Sequence, residues 1–118
     1  MLKDKAVANL KAGEALLRLG LVDPAASRLY YSLYQAAVHA FKARGWLPGS
    51  VRSGAVEWSH DMVLGTVRRL RGRREDMELY DDMRELRRKA DYDDDAVWPG
   101  ELAVRIDAVR DFVEEVTS

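Results

Sequence analysis

Apolar positions recur along this chain with a helical period, and no segment shows the strict alternation of a half-buried strand. Between Lys3 and Leu19, residues Ala8, Ala12, Ala15 and Leu19 follow at steps of four, three and four, flanked by Leu10, Leu16 and Leu17. Lys11, Glu14 and Arg18 form the polar row, so the spacing predicts an amphipathic helix, with Gly20 just past its end. Asp23-Pro24 predicts the next start, with the carboxylate as N-cap and the proline at the first helical position, where its missing N–H costs nothing. This second helix is expected to run to about Arg44 and stop at Gly45. Its polar residues Arg28, Ser32, Gln35, His39 and Lys42 fall on one narrow stripe, so most of the remaining surface has to be buried or meet a partner.

Glycines, serines and Pro48 between Gly45 and about Val56 read as a loop joining two halves of the fold. A short helix is expected from about Glu57 to Leu70, ended by Arg71-Gly72. The next opens with Glu75 and Asp76, acids suited to the positive end of a helix dipole, carries Leu79, Met83, Leu86 and Ala90 toward the core, and fades in Asp93-Asp94-Asp95. Pro99-Gly100 marks the last start, followed by a periodic Leu102, Ile106, Val109, Val113 and Val116. The pattern predicts an all-α protein: one domain over residues 1–118, an antiparallel up-and-down four-helix bundle with an additional short helix.

Composition narrows the chemistry. The absence of cysteine removes disulfides, thiolate zinc sites and thiol nucleophiles. No stretch approaches the roughly 20 apolar residues of a membrane span, and Met1-Leu2-Lys3-Asp4-Lys5 lacks the apolar run of a signal peptide, so a soluble, cytoplasmic protein with no membrane partner is expected. Nineteen basic and twenty acidic residues give a formal charge of -1, so a nucleic-acid contact has to come from a local patch.

Three tracts carry a resemblance: Ala25-x-x-Arg28-x-Tyr30-Tyr31-Ser32-x-Tyr34-x-Ala36-Ala37, the turn Ser53-Gly54-Ala55-Val56, and Leu86-Arg87-x-x-Ala90-Asp91-Tyr92. In order and spacing they resemble the small prokaryotic HEPN proteins (higher eukaryotes and prokaryotes nucleotide-binding), over roughly Lys3 to Val116. The resemblance implies an up-and-down helical bundle, a homodimer, and a role beside a minimal nucleotidyltransferase in a toxin-antitoxin-like pair. Many HEPN proteins are metal-independent ribonucleases with an arginine, four to six intervening residues and a histidine. This chain departs from that pattern. Its histidines are His39 and His60, seven residues separate Arg52 from His60, and four residues after Arg87 comes Tyr92, a phenol where the nuclease would carry imidazole. A phenol with an ordinary pKa near 10 is a poor general base at neutral pH.

Arg87, Arg88, Asp91 and Tyr92 form the sharpest candidate site: each arginine lies four residues before an acid or a phenol that can hold it, leaving forked donors for a phosphate. An ordinary helix-terminal ion pair is the competing reading. Arg28 is a candidate for the same pocket. Tyr30, Tyr31 and Tyr34 offer faces for stacking on bases, but on so apolar a helix they and Phe41 read first as core or dimer contacts. The run of Arg68, Arg69, Arg71, Arg73 and Arg74 is either a phosphate foothold or a solvated helix end paired with Glu75, Asp76 and Glu78. Asp91, Asp93, Asp94 and Asp95 match no calcium loop, and neither a metal nor a cofactor is expected. His60 and Tyr92 are the candidates for proton transfer. The leading expectation is a binder of nucleotide or RNA. The alternatives are a metal-independent RNase toxin and a non-catalytic protein-interaction module.

Overall fold

Two glycines fold the first half of the chain. Helix α1 (Leu2–Arg18) ends at Gly20, φ 78°, and α2 (Val22–Ala43) at Gly45, φ 72°, a left-handed conformation that costs only glycine nothing. Each end is a Schellman motif. Gly20 N–H donates to Leu17 C=O and Leu21 N–H to Leu16 C=O; Gly45 and Trp46 repeat this on Lys42 and Phe41 at 3.0 and 2.9 Å. The apolar contact that accompanies the motif is present at the second end, where the Trp46 ring stacks on Phe41 with centroids 5.8 Å apart. With so short a turn, α1 and α2 pack as an antiparallel pair, the most extensive interhelical contact in the molecule. Gly13 lets them close up, since a Cβ there would lie 2.7 Å from Leu29 Cγ. Buried Ser32 donates to Ala6 C=O at 2.7 Å across the same seam.

The computed structural model describes residues 1–48 and 57–118, and among them the chain is all-helical with no strand. Beyond the first pair come α3 (His60–Thr66), α4 (Arg68–Arg71), α5 (Arg74–Tyr92), α6 (Pro99–Ala103) and α7 (Ile106–Val116). Helix α2 lies at the centre: Tyr30, Leu33, Phe41 and the alanines Ala25, Ala26, Ala36, Ala37 and Ala40 are buried against α1, α5 and α7 together with Met83, Tyr80, Val109, Phe112 and Val113.

Four expectations need correction. Helix α1 buries Ala6, Leu10 and Gly13, whereas Ala8 is exposed and Leu19 is 73 % exposed; α1 is too alanine-rich for spacing alone to select its inner face. Asp23 is not an N-cap: α2 begins at Val22, Pro24 falls within the first turn, and the Asp23 carboxylate accepts from Val97 N–H at 2.9 Å. The helix expected from Glu57 to Leu70 starts at His60, capped by Ser59 Oγ accepting from Met62 N–H, and is interrupted at Val67. The last helix is likewise broken at Val104–Arg105, so that buried Leu102 sits on α6 and Val109 on α7. No helix among the described residues is long and apolar enough to cross a membrane. The Ser53-Gly54-Ala55-Val56 turn and Arg52 lie outside the described residues, as does most of the Gly45–Val56 loop.

Candidate functional site

Helices α2, α3 and α5 bring an imidazole, four phenols and two guanidiniums together. Tyr30, Tyr31 and Tyr34 occupy one face of α2, and Tyr80, Arg84 and Arg87 recur on α5 at helical spacing, so their side chains share a face. His60 enters as the first residue of α3, next to the Ser59 cap. The Tyr34 hydroxyl donates to the Trp58 carbonyl and ties this entry segment to α2.

Tyr30 is the hub. Its hydroxyl lies 2.8 Å from the Tyr80 hydroxyl and is hydrogen-bonded to His60 Nδ1. The His60 ring packs 4.7 Å from the Tyr34 ring and 5.4 Å from that of Tyr30, centroid to centroid. Arg87 spreads over the aromatic wall, 5.2 Å from the Tyr31 centroid, and its Nη2 donates to the Tyr31 hydroxyl at 2.9 Å. Its Nε lies 3.0 Å from Asp91 Oδ2, yet off the N–H direction: an ion pair without a hydrogen bond, leaving a buried N–H with no acceptor among the described residues. Asp91 accepts in turn from Ser27 Oγ at 3.0 Å. Arg84 Nη1 meets Asp61 Oδ1 at 2.6 Å.

The electrostatics follow from burial and from the two cations. Burial lowers the His60 pKa, and Arg84 and Arg87 push it the same way against an opposing pull from Asp61, so the neutral imidazole is favoured. Burial raises the pKa of Tyr30, which the Tyr80 hydrogen bond and both arginines only partly offset. The Tyr34 phenol is also raised by burial, and the Tyr80 phenol is raised by burial and by its bond to Tyr30. The hydrogen bond and charge of Asp61 raise Arg84. At neutral pH the cluster therefore holds the protonated phenols of Tyr30, Tyr34 and Tyr80 and a neutral imidazole, beside two guanidiniums.

The sequence-predicted site divides. Arg87 and Asp91 meet as expected, but Arg88 and Tyr92 point elsewhere: Arg88 pairs with Glu85 at 2.8 Å on the exposed face, and Tyr92 is 73 % exposed. Consecutive helical residues differ in direction by about 100°, and here that offset turns Arg87 toward Tyr31 and Arg88 toward Glu85 on the exposed face. Arg28 reaches Asn9 Oδ1 on α1 at 3.2 Å, where Asn9 also donates to Gln35. Tyr30 and Phe41 are wholly buried within the chain, while Tyr31 and Tyr34 are half-buried at the cluster.

The basic run also scatters. Arg71 is locked by Asp76, Asp111 and Glu115, Arg69 lies 4.4 Å over the Trp46 ring, and Arg74 pairs with Glu78. Arg68, Arg69 and Arg73 of that run are exposed without an ion-pair partner among the described residues. Among those residues no group of three acidic or histidine side chains is placed to hold a metal ion.

Sequence reasoning missed Tyr80 and Arg84, and treated His60 as separate from Arg87. The available signal was the repeat of Tyr80, Arg84 and Arg87 on one face of α5. Comparison with known proteins finds no matching family model, no matching curated protein and no matching solved structure.

Proposed function

We propose that this protein binds a phosphate-bearing ligand, RNA or a nucleotide, with Arg84, Arg87 and His60 as the phosphate anchor. The observation that carries the reading is Arg87: a guanidinium held against Tyr31, with a buried Nε–H that Asp91 approaches without satisfying. The Arg87 side chain is 24 % exposed and its Nη groups carry donors beyond the one given to Tyr31, so an anion meets the guanidinium there in a charge-assisted bond while the Nε–H stays buried beside Asp91. Half-buried Tyr31 and Tyr34 add aromatic faces on which a base can stack. Within this reading the protein is a HEPN protein of four-helix up-and-down architecture that acts as a homodimer beside a minimal nucleotidyltransferase. The support for that assignment is the α2 and α5 sequence patterns.

Anisotropy titration of a short single-stranded RNA tests the reading. Arg84→Ala and Arg87→Ala should each weaken binding by about tenfold and flatten the salt dependence by about one unit of slope. Unchanged curves in both variants overturn it. A second reading, an RNase, is favoured by the placement of His60 beside two guanidiniums able to stabilise a pentavalent phosphate. It requires His60 Nε2 to accept a proton, and predicts cleavage of total RNA that is lost in Arg87→Ala and His60→Gln alike.

A further inference from the structure

We propose that Tyr30 and Tyr80 are positioning residues that hold neutral His60 in its Nε2–H tautomer. The imidazole then presents a hydrogen-bond donor, beside Arg84 and Arg87, to a phosphate oxygen. This deepens the anion-binding reading and rests on it for the identity of the acceptor.

The tautomer follows from a count of protons. Tyr80 O, Tyr30 O and His60 Nδ1 form one chain of two hydrogen bonds, and Tyr30 and Tyr80 are 0 % and 1 % exposed. Each hydroxyl has one proton to donate. If Tyr80 donates to Tyr30 and Tyr30 donates to Nδ1, both phenolic protons have acceptors and the ring proton must sit on Nε2. If Nδ1 carries the proton and donates to Tyr30, one phenolic proton is stranded: that of Tyr80 when Tyr30 donates onward, that of Tyr30 when Tyr80 donates inward. Buried donors without acceptors are rarer and costlier than under-used oxygen lone pairs. One arrangement of the three leaves no hydroxyl proton unpaired among the described residues.

The same count opposes the imidazolium, which carries a proton on both nitrogens and so reverses the chain. The charged and titratable groups facing the ring agree. From α5 come Arg84 and Arg87, both repelling a positive imidazole; from α2 come the rings of Tyr30, Tyr31 and Tyr34, the phenols of Tyr30 and Tyr34 kept protonated by burial; and on α3 Asp61 attracts it, while itself bonded to Arg84. Burial lowers the His60 pKa in the same sense. A neutral ring with its proton on Nε2 can donate to an anion, but it cannot use that nitrogen as a general base. The relay therefore favours binding over the RNase reading.

The test uses nitrogen-15 spectra of the imidazoles in the ligand-free protein. The chain has two histidines, so His39→Gln leaves His60 as the only signal. At about pH 7.5, above the ordinary imidazole pKa, the expected result is a neutral ring protonated on Nε2. Tyr30→Phe should convert it to a mixture of tautomers and shift its pKa upward toward the ordinary value. A ring protonated on Nδ1, or a tautomer and pKa unmoved by Tyr30→Phe, overturns the proposal. If Tyr30→Phe fails to fold, the tautomer in the His39→Gln protein decides alone. Adding inorganic phosphate separates the two claims: an Nε2–H signal present but unmoved by phosphate leaves the relay standing and removes the ligand reading.

Discussion

Arg71 and Arg87 are set in similar surroundings and do different things. Each guanidinium lies near carboxylates and over an aromatic ring: Arg71 5.4 Å from the Phe112 centroid, Arg87 5.2 Å from that of Tyr31. Arg71 is nearly saturated. Its Nε and Nη2 take both oxygens of buried Asp76 at 2.9 and 2.7 Å, and its Nη1 takes Asp111 and Glu115 at 3.0 and 2.6 Å. Among the described residues Arg87 has a single hydrogen bond, to Tyr31, and an off-axis carboxylate. A guanidinium with four of its five donors taken is a clasp between the α4–α5 corner and α7, with one N–H left to offer. A largely unsaturated one, held in place by aromatic contact, retains donors for a ligand. The number of unmet N–H groups separates these roles better than the number of arginines does.

The largest effect should come from breaking the clasp. Arg71→Ala strands Asp76, which is 5 % exposed, and should cost about 3 kcal/mol in urea unfolding, the range for removing one partner of a buried pair, with RNA affinity per folded molecule unchanged. The mirror experiment is Arg87→Ala. It should weaken RNA binding by about tenfold, or about 1.4 kcal/mol, and leave the thermal midpoint almost in place. Equal stability losses in the two variants would erase the distinction.

His60 sharpens the comparison through pH. Its pKa is lower in the folded protein than in the unfolded chain, so on acidification the unfolded chain takes up the proton first. The corresponding stability is fully present above the ordinary imidazole pKa of about 6.5 and is lost as pH falls from there through the lower folded value. Thermal midpoints between about pH 7.5 and about pH 5 should therefore fall more steeply in the wild type than in His60→Gln. The smallest effect is expected of Arg88→Ala: the Arg88–Glu85 pair is exposed, and RNA affinity should stay within about two-fold.

Helix type and approximate extent were legible because periodicity and the stops at Gly20, Gly45 and Gly72 are local properties. The Arg87–Asp91 pair was legible for the same reason, as neighbours one turn apart on a single helix. What failed was whatever depends on a partner element. Asp23 looks like a cap until the 96–98 segment brings Val97 N–H to it. The break at Val104–Arg105 carries no glycine or proline to announce it, and at Val67 the nearest is Gly65, which lies inside α3 rather than at the break. Arg88 resembled Arg87 in sequence and differs from it only in direction around α5. Most of the candidate site lies across α2, α3 and α5: Tyr30, His60 and Tyr80 are 30 and 50 residues apart along the chain and meet through tertiary packing.

The central claim is that Arg84, Arg87 and His60 together hold phosphate. Titrating a short single-stranded RNA into nitrogen-15-labelled protein, and following the arginine Nε–H and imidazole signals, tests it most directly. The account predicts that the Arg84, Arg87 and His60 signals move together with one affinity while those of Arg71 and Arg88 stay still. Movement confined to Arg68, Arg69, Arg73 and Arg74, with the α2–α3–α5 cluster unperturbed, would contradict it.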